Sequence, residues 1–148
     1  MKLQSLLTDM TFELGLGAVV AGTSDQTISA AVDMTGFEGV TAVAILGDVT
    51  DTAVVALDCY EVATNATSGG TQVTASSTDD FTANTTSGDS KILISERFRP
   101  TKQYVYFTLD RGTANAVINS ILIIKWNANT RPVTQPSTVI ASKSSAGN

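Results

Sequence analysis

The side chains that could do chemistry are few, and their types narrow it quickly. Fourteen carboxylates are the most abundant reactive groups, and two at the right separation could act as acid and base in glycoside hydrolysis. Asp58 and Glu61 are one such pair, inside an apolar run, but a separation of three along a strand turns them to opposite faces. Asp48 and Asp51 resemble a fragment of a calcium loop, yet no further acid follows at EF-hand spacing, and an Asx-type turn accounts for them. The chain has no histidine, which excludes a Ser-His-Asp arrangement and imidazole metal sites. Its single cysteine, Cys59, excludes thiolate clusters and an intrachain disulfide, and within the run 53–62 it reads as a small buried hydrophobe. There is no phosphate-cradling glycine loop and no Ser-x-x-Lys dyad. The expectation is a protein with no catalytic, cofactor or metal site.

What remains is electrostatic and apolar contact. Between Lys2 and Lys91 there is no basic residue against twelve acids, while from Lys91 onward eight bases face only Glu96 and Asp110. Segments of opposite sign can attract each other within a fold or attract patches on other subunits. Arg97, Arg99, Lys102, Arg111, Lys125 and Arg131 are the available cationic handles. At a net charge of −5 a nucleic-acid partner would need them segregated on one face. Arg97 and Arg99 share a strand face at period two, whereas Lys102 and Arg111 fall in turns, so contact with protein carboxylates is the better expectation. Two arginines on an edge strand would also guard it against unwanted pairing. Tyr104, Tyr106 and Trp126 could form a stacking platform for a glycan, an alternative that competes with their burial in the most apolar strands.

The elements that must position these residues are strands. Residues 91–126 hold three β-branched and aromatic runs, at 92–98, 104–109 and 116–126, separated by Arg99-Pro100-Thr101-Lys102 and Asp110-Arg111-Gly112-Thr113. Such runs read as consecutive strands joined by turns. Tyr104-Val105-Tyr106-Phe107 and Ile121-Leu122-Ile123-Ile124 do not alternate apolar with polar, so both faces of those strands should be covered, by a second sheet or by a neighbouring subunit. Upstream, 12–21, 27–32, 40–46 and 53–62 read as further strands, with Gly15 and Gly17 marking a bulge or close approach. Residues 64–90 are a polar Ser/Thr-rich loop expected to face solvent, with a short outer hairpin from 71–75 and 81–83.

The length of 148 residues suits one domain that buries roughly 70% of its unfolded surface. About eight short strands with polar turns predict a single-domain antiparallel β-sandwich of jelly-roll type. It would span 12–126, with extended arms at 1–11 and 127–148. No segment reaches the ~18 apolar residues of a membrane span, and Asp9 and Glu13 interrupt a signal-like start, so synthesis in a cytoplasm and no membrane partner are expected. Candidate contacts are Leu3, Leu6 and Leu7 in the first arm, Arg97, Arg99, Lys102 and Arg111 in the centre, and Arg131, Val139 and Ile140 in the second arm.

Four stretches carry a family resemblance: V-D-M-T-G-F at 32–37, G-D-V-T-D-T-A-V at 47–54, R-F-R-P-T-K-Q-Y-V at 97–105 and D-R-G-T-A-N-A-V-I at 110–118. In order and spacing the chain resembles small head-associated proteins encoded near the major capsid gene of tailed bacteriophages, over about two-thirds of its length. The long loop at 64–90 departs from that pattern. The resemblance implies a capsid decoration, or cement, protein on the outer surface of the virion that binds the major capsid protein. It would be a homo-oligomer, with a trimer suiting local three-fold symmetry. A glycan- or receptor-binding sandwich of a head fibre or tail, or a minor tail or connector protein, are the alternatives.

Overall fold

The β-branched runs form strands wherever they occur in a computed structural model that describes residues 6–85 and 87–144. After a single helical turn, α1 (Leu6–Asp9), come β1 (Thr11–Leu16), β2 (Val19–Gly22), β3 (Gln26–Thr27), β4 (Val32–Asp33), β5 (Phe37–Val49) and β6 (Val54–Val62). They are followed by β7 (Thr71–Gln72), β8 (Phe81–Thr82), β9 (Ile92–Phe98), β10 (Tyr104–Gly112) and β11 (Ala116–Ala128). One antiparallel sheet has the order β1-β11-β5-β9, with β2 continuing alongside β11; the other has the order β3-β10-β6-β7, with β4 beside β10 and β8 beside β6. The chain is all-β, two sheets packed as a sandwich with no closed barrel. Successive long strands cross from one sheet to the other, which is jelly-roll connectivity.

Alternation decides which side chains fill the space between the sheets. Val40, Ala42, Ala44 and Leu46 of β5 and Ile118, Ile121 and Ile123 of β11 meet Val55, Leu57 and Cys59 of β6 and Val105, Phe107 and Leu109 of β10, all essentially without exposure. Burial pushes the Cys59 thiol up to about 12, so it stays an unreactive core group.

Three details differ from the sequence expectation. The run at 12–21 splits into β1 and β2, breaking at Gly17-Ala18. The run at 27–32 is not one strand, because Ile28 drops into the core and Ser29 bonds back to the Gly15 carbonyl through both its N–H (2.8 Å) and its hydroxyl (3.0 Å). Residues 71–75 and 81–83 do not form a hairpin with each other; β7 and β8 each pair with β6. Between them the loop continues along the β6 edge, where Thr78 Oγ1 accepts from Leu57 N–H (2.9 Å) and Ser77 Oγ from Cys59 N–H (3.1 Å). Hydroxyls replace a partner strand there.

The two ends are joined. Gln135 Oε1 accepts from Phe12 N–H (3.0 Å), Thr138 Oγ1 from Leu14 N–H (3.4 Å), and Val133 N–H donates to the Thr8 carbonyl (3.1 Å). Residues 133–138 therefore lie against α1 and the free edge of β1, which closes that edge to strand addition.

Candidate functional site

Cross-strand register sets the outward side chains of the first sheet in rows. Phe12, Ile124, Thr41 and Glu96 form one row, and Leu14, Leu122, Val43 and Ile94 the next. Ile45 with Ile92, and Trp126 with Gly39 and Phe98, extend the face at its two ends. Leu14 and Phe98 are 47% exposed, and Ile92 and Ile94 54%. Among the described residues none of these side chains packs against the core. The face is mainly apolar, open at Leu14, Ile92, Ile94 and Phe98 and half-buried at Val43, Ile45, Leu122 and Ile124.

Its aromatic end is built around a glycine. A Cβ at Gly39 would collide with the indole of Trp126, so only glycine lets that ring lie flat across the central strand. Trp126 stacks on Phe98 at 5.6 Å between centroids and 11° between planes. Arg99 leaves β9 with φ of 48° and places its guanidinium 4.8 Å from the Phe98 ring centroid. Glu96, charged and in the row of Phe12 and Ile124, is held from within the face: Trp126 Nε1 donates to Thr41 Oγ1 (3.1 Å), which donates to Glu96 (3.2 Å).

The second sheet differs on its outward side. Tyr60 and Tyr106 stack at 4.9 Å, and Gly70 of the polar loop closes over Tyr106 and donates to its hydroxyl (3.1 Å). Beside them Asp58, Asp79, Asp80 and Asp110 line a cleft of about 580 Å³. Burial, with Asp58 and Asp25 nearby, pushes the Asp110 carboxyl up to about 6, and burial likewise pushes the Tyr60 hydroxyl up to about 12. Among the described residues no group of three or more His, Cys, Asp or Glu is arranged to hold a metal ion.

The raised Asp110 has a definite sign. Its ordinary value is 3.8, so between about 4 and 6 the fold binds more protons than the unfolded chain and loses stability as pH rises. Asp110→Asn is expected to raise stability at pH 8 by about 1 kcal/mol after discounting for solvent screening, roughly 3 °C in Tm, and to change little at pH 4. Thermal melts of both proteins across that range check it; an equal difference at both ends would refute the assignment.

The arginines expected at a contact surface divide. Arg111 is 4% exposed; its Nε and Nη1 donate to the carbonyls of Ser24 (2.8 Å), Val20 (3.0 Å) and Ala116 (2.7 Å). It lies in β10 rather than in a turn, inside the end of the sandwich. Arg97 points inward to Glu61 (2.6 Å), and Arg131 pairs with Asp9. Arg99, whose guanidinium is 3.4 Å from Glu38, and Lys102 remain exposed, in or beside the β9–β10 turn. Leu6 and Ile140 are exposed at 59% and 98%, Leu7 and Val139 are half-buried, and Leu3 lies outside the described residues. Tyr104, Tyr106 and Trp126 do not share a platform: the tyrosines belong to the second sheet and Trp126 to the first. The outward row through Leu14, Val43 and Ile94 was not singled out from sequence, although the non-alternating run at 121–124 marked its central strand as apolar on both sides.

No family model matches the chain, and no curated protein matches it. Among solved structures with a similar shape is a chain from Bacillus endospore appendages, described as a novel family of disulfide-linked pili. It is 13% identical over 82% of this chain and 90% of that one, with a TM-score of 0.45. A likeness that distant transfers no role.

Proposed function

We propose that this protein is a non-enzymatic decoration protein of a tailed-phage head, a β-slab that adheres to the capsid surface and braces neighbouring capsid subunits. The observation that carries an adhesive role is the mainly apolar outward face of the first sheet. A contiguous patch of that kind marks an association surface in a soluble protein. The four sequence stretches resembling head-associated phage proteins direct that role to a virion. Exposed Arg99 and Lys102 beside the aromatic end offer cationic contacts for capsid carboxylates, and a repeating lattice multiplies a modest contact through effective concentration.

Mixing purified protein with undecorated heads and sedimenting them tests this reading. Co-sedimentation is expected at low salt, weakening as salt screens the exposed cations, with copies per head on the order of hundreds; about six or twelve would indicate a connector at a single vertex instead. No co-sedimentation at low ionic strength would end the proposal.

A further inference from the structure

The outward face of the first sheet has a size, a charge and a composition that together select an occupant. We propose that it packs against the same face of a second copy of this chain, forming a two-fold dimer. This rests on the adhesive reading above and divides its surfaces: the apolar face takes the second copy, and contact with the capsid falls to exposed Arg99 and Lys102 at its margin.

Size comes first. Four strands ~4.8 Å apart and seven residues at ~3.4 Å each mark out a footprint of about 450 Å² in flat projection. Side-chain relief brings the accessible area closer to the ~800 Å² per partner of a standard stable interface. Charge comes second. The middle of the face, around Val43 of β5 and Leu122 of β11, carries none, so two copies meet without like-charge repulsion, whereas a charged partner would find nothing there to pair with. Glu96 is on β9, the edge strand that also carries Ile94, and its carboxylate is already engaged by the Thr41 hydroxyl (3.2 Å). Composition comes third. Trp126 and Phe98 stack at one end of the face, and aromatic side chains are enriched at the core of interfaces.

The interior supports the same conclusion. In Ile121-Leu122-Ile123-Ile124 the second sheet covers Ile121 and Ile123, leaving Leu122 and Ile124 on the open side. Its counterpart in β10 needs no outside help, because the loop around Gly70 covers Tyr106. A sheet stacked ~10 Å away would complete the cover of β11.

Sedimentation velocity on the purified chain tests the dimer. At about 100 µM the wild type should run near twice the 15.4 kDa chain mass. Ile94→Asp should weaken association about 100-fold by placing an unpaired carboxylate beside Glu96 in the contact, with an unchanged far-UV spectrum because the side chain is exposed. Leu14→Lys, on a different strand, repeats the test should the first variant misfold. The wild type itself supplies a second readout: emission of the single tryptophan, Trp126, should move to the red on dilution in step with the mass. A monomeric wild type at that concentration, or folded variants that remain dimeric, would overturn the proposal. A monomer that still co-sediments with heads removes the dimer and keeps the decoration role. A dimer that ignores heads does the reverse.

Discussion

Arg111→Ala is expected to cost about 3 kcal/mol, a large share of the 5–15 kcal/mol that holds a domain together. The guanidinium stands in β10 of the second sheet yet donates to carbonyls of β2 and β11 in the first, and to Ser24 in the turn between β2 and β3. Removing it strands the buried Ala116 carbonyl, which no water reaches, while the carbonyls of Val20 and Ser24, on exposed residues, turn to solvent. The backbone N–H of Arg111 also donates to Asp25 (3.1 Å), a bond that the substitution leaves in place. Arg111→Lys should lose nearly as much, because one ammonium cannot reach acceptors spread over three chain segments as a planar fork does. Denaturant midpoints measure both. A lysine variant as stable as wild type would show that charge alone matters there and that the fork geometry does not.

The strands were legible because burial writes its period into them. Runs at 92–98, 104–109 and 116–126 became β9, β10 and β11 with ends shifted by at most three residues, and the bulge signalled by the glycines lies between Leu14 and Leu16. The polar loop was legible as a loop only. Its Ser and Thr hydroxyls bond to the β6 backbone, and such side-chain-to-backbone bonds leave no periodicity in a sequence. The tail was equally opaque, since nothing in Gln135 or Thr138 announces that they serve the edge of β1.

The site was half legible for a different reason. An arginine looks the same in sequence whether it faces solvent or fills a polar hole in the core. The two distinctive stretches, R-F-R-P-T-K-Q-Y-V and D-R-G-T-A-N-A-V-I, supply Arg97 and Thr101 to Glu61 and supply Arg111 to the carbonyl cluster. Much of the resemblance to head-associated proteins therefore lies in residues that hold the sandwich together. The outward apolar face is written instead in ordinary aliphatic residues, Leu14, Val43 and Ile94, whose outward direction follows only from strand register.

Glu61 carries the second large effect. Its carboxylate, 6% exposed, accepts from Arg97 Nε (2.6 Å), from the Thr101 N–H (3.1 Å) and from the Thr101 hydroxyl. Burial alone would raise the carboxyl, but the hydrogen bonds from Thr101 and Arg97 outweigh it and hold it below its ordinary 4.5. A lowered carboxylate contributes stability that is fully present above about 4.5 and lost as pH falls through the folded value. Glu61→Gln is therefore expected to cost about 3 kcal/mol at pH 7, with the gap to wild type closing at acid pH. Replacing both partners, Glu61→Met with Arg97→Met, should cost less than the sum of the single replacements, because neither charge is then left stranded. Additive losses would mean that the pair is not coupled. Arg97→Met also separates two roles for one residue. If Arg97 serves the fold, the variant loses stability while the outward face of the first sheet is unchanged; if it grips a partner, stability holds and head binding falls.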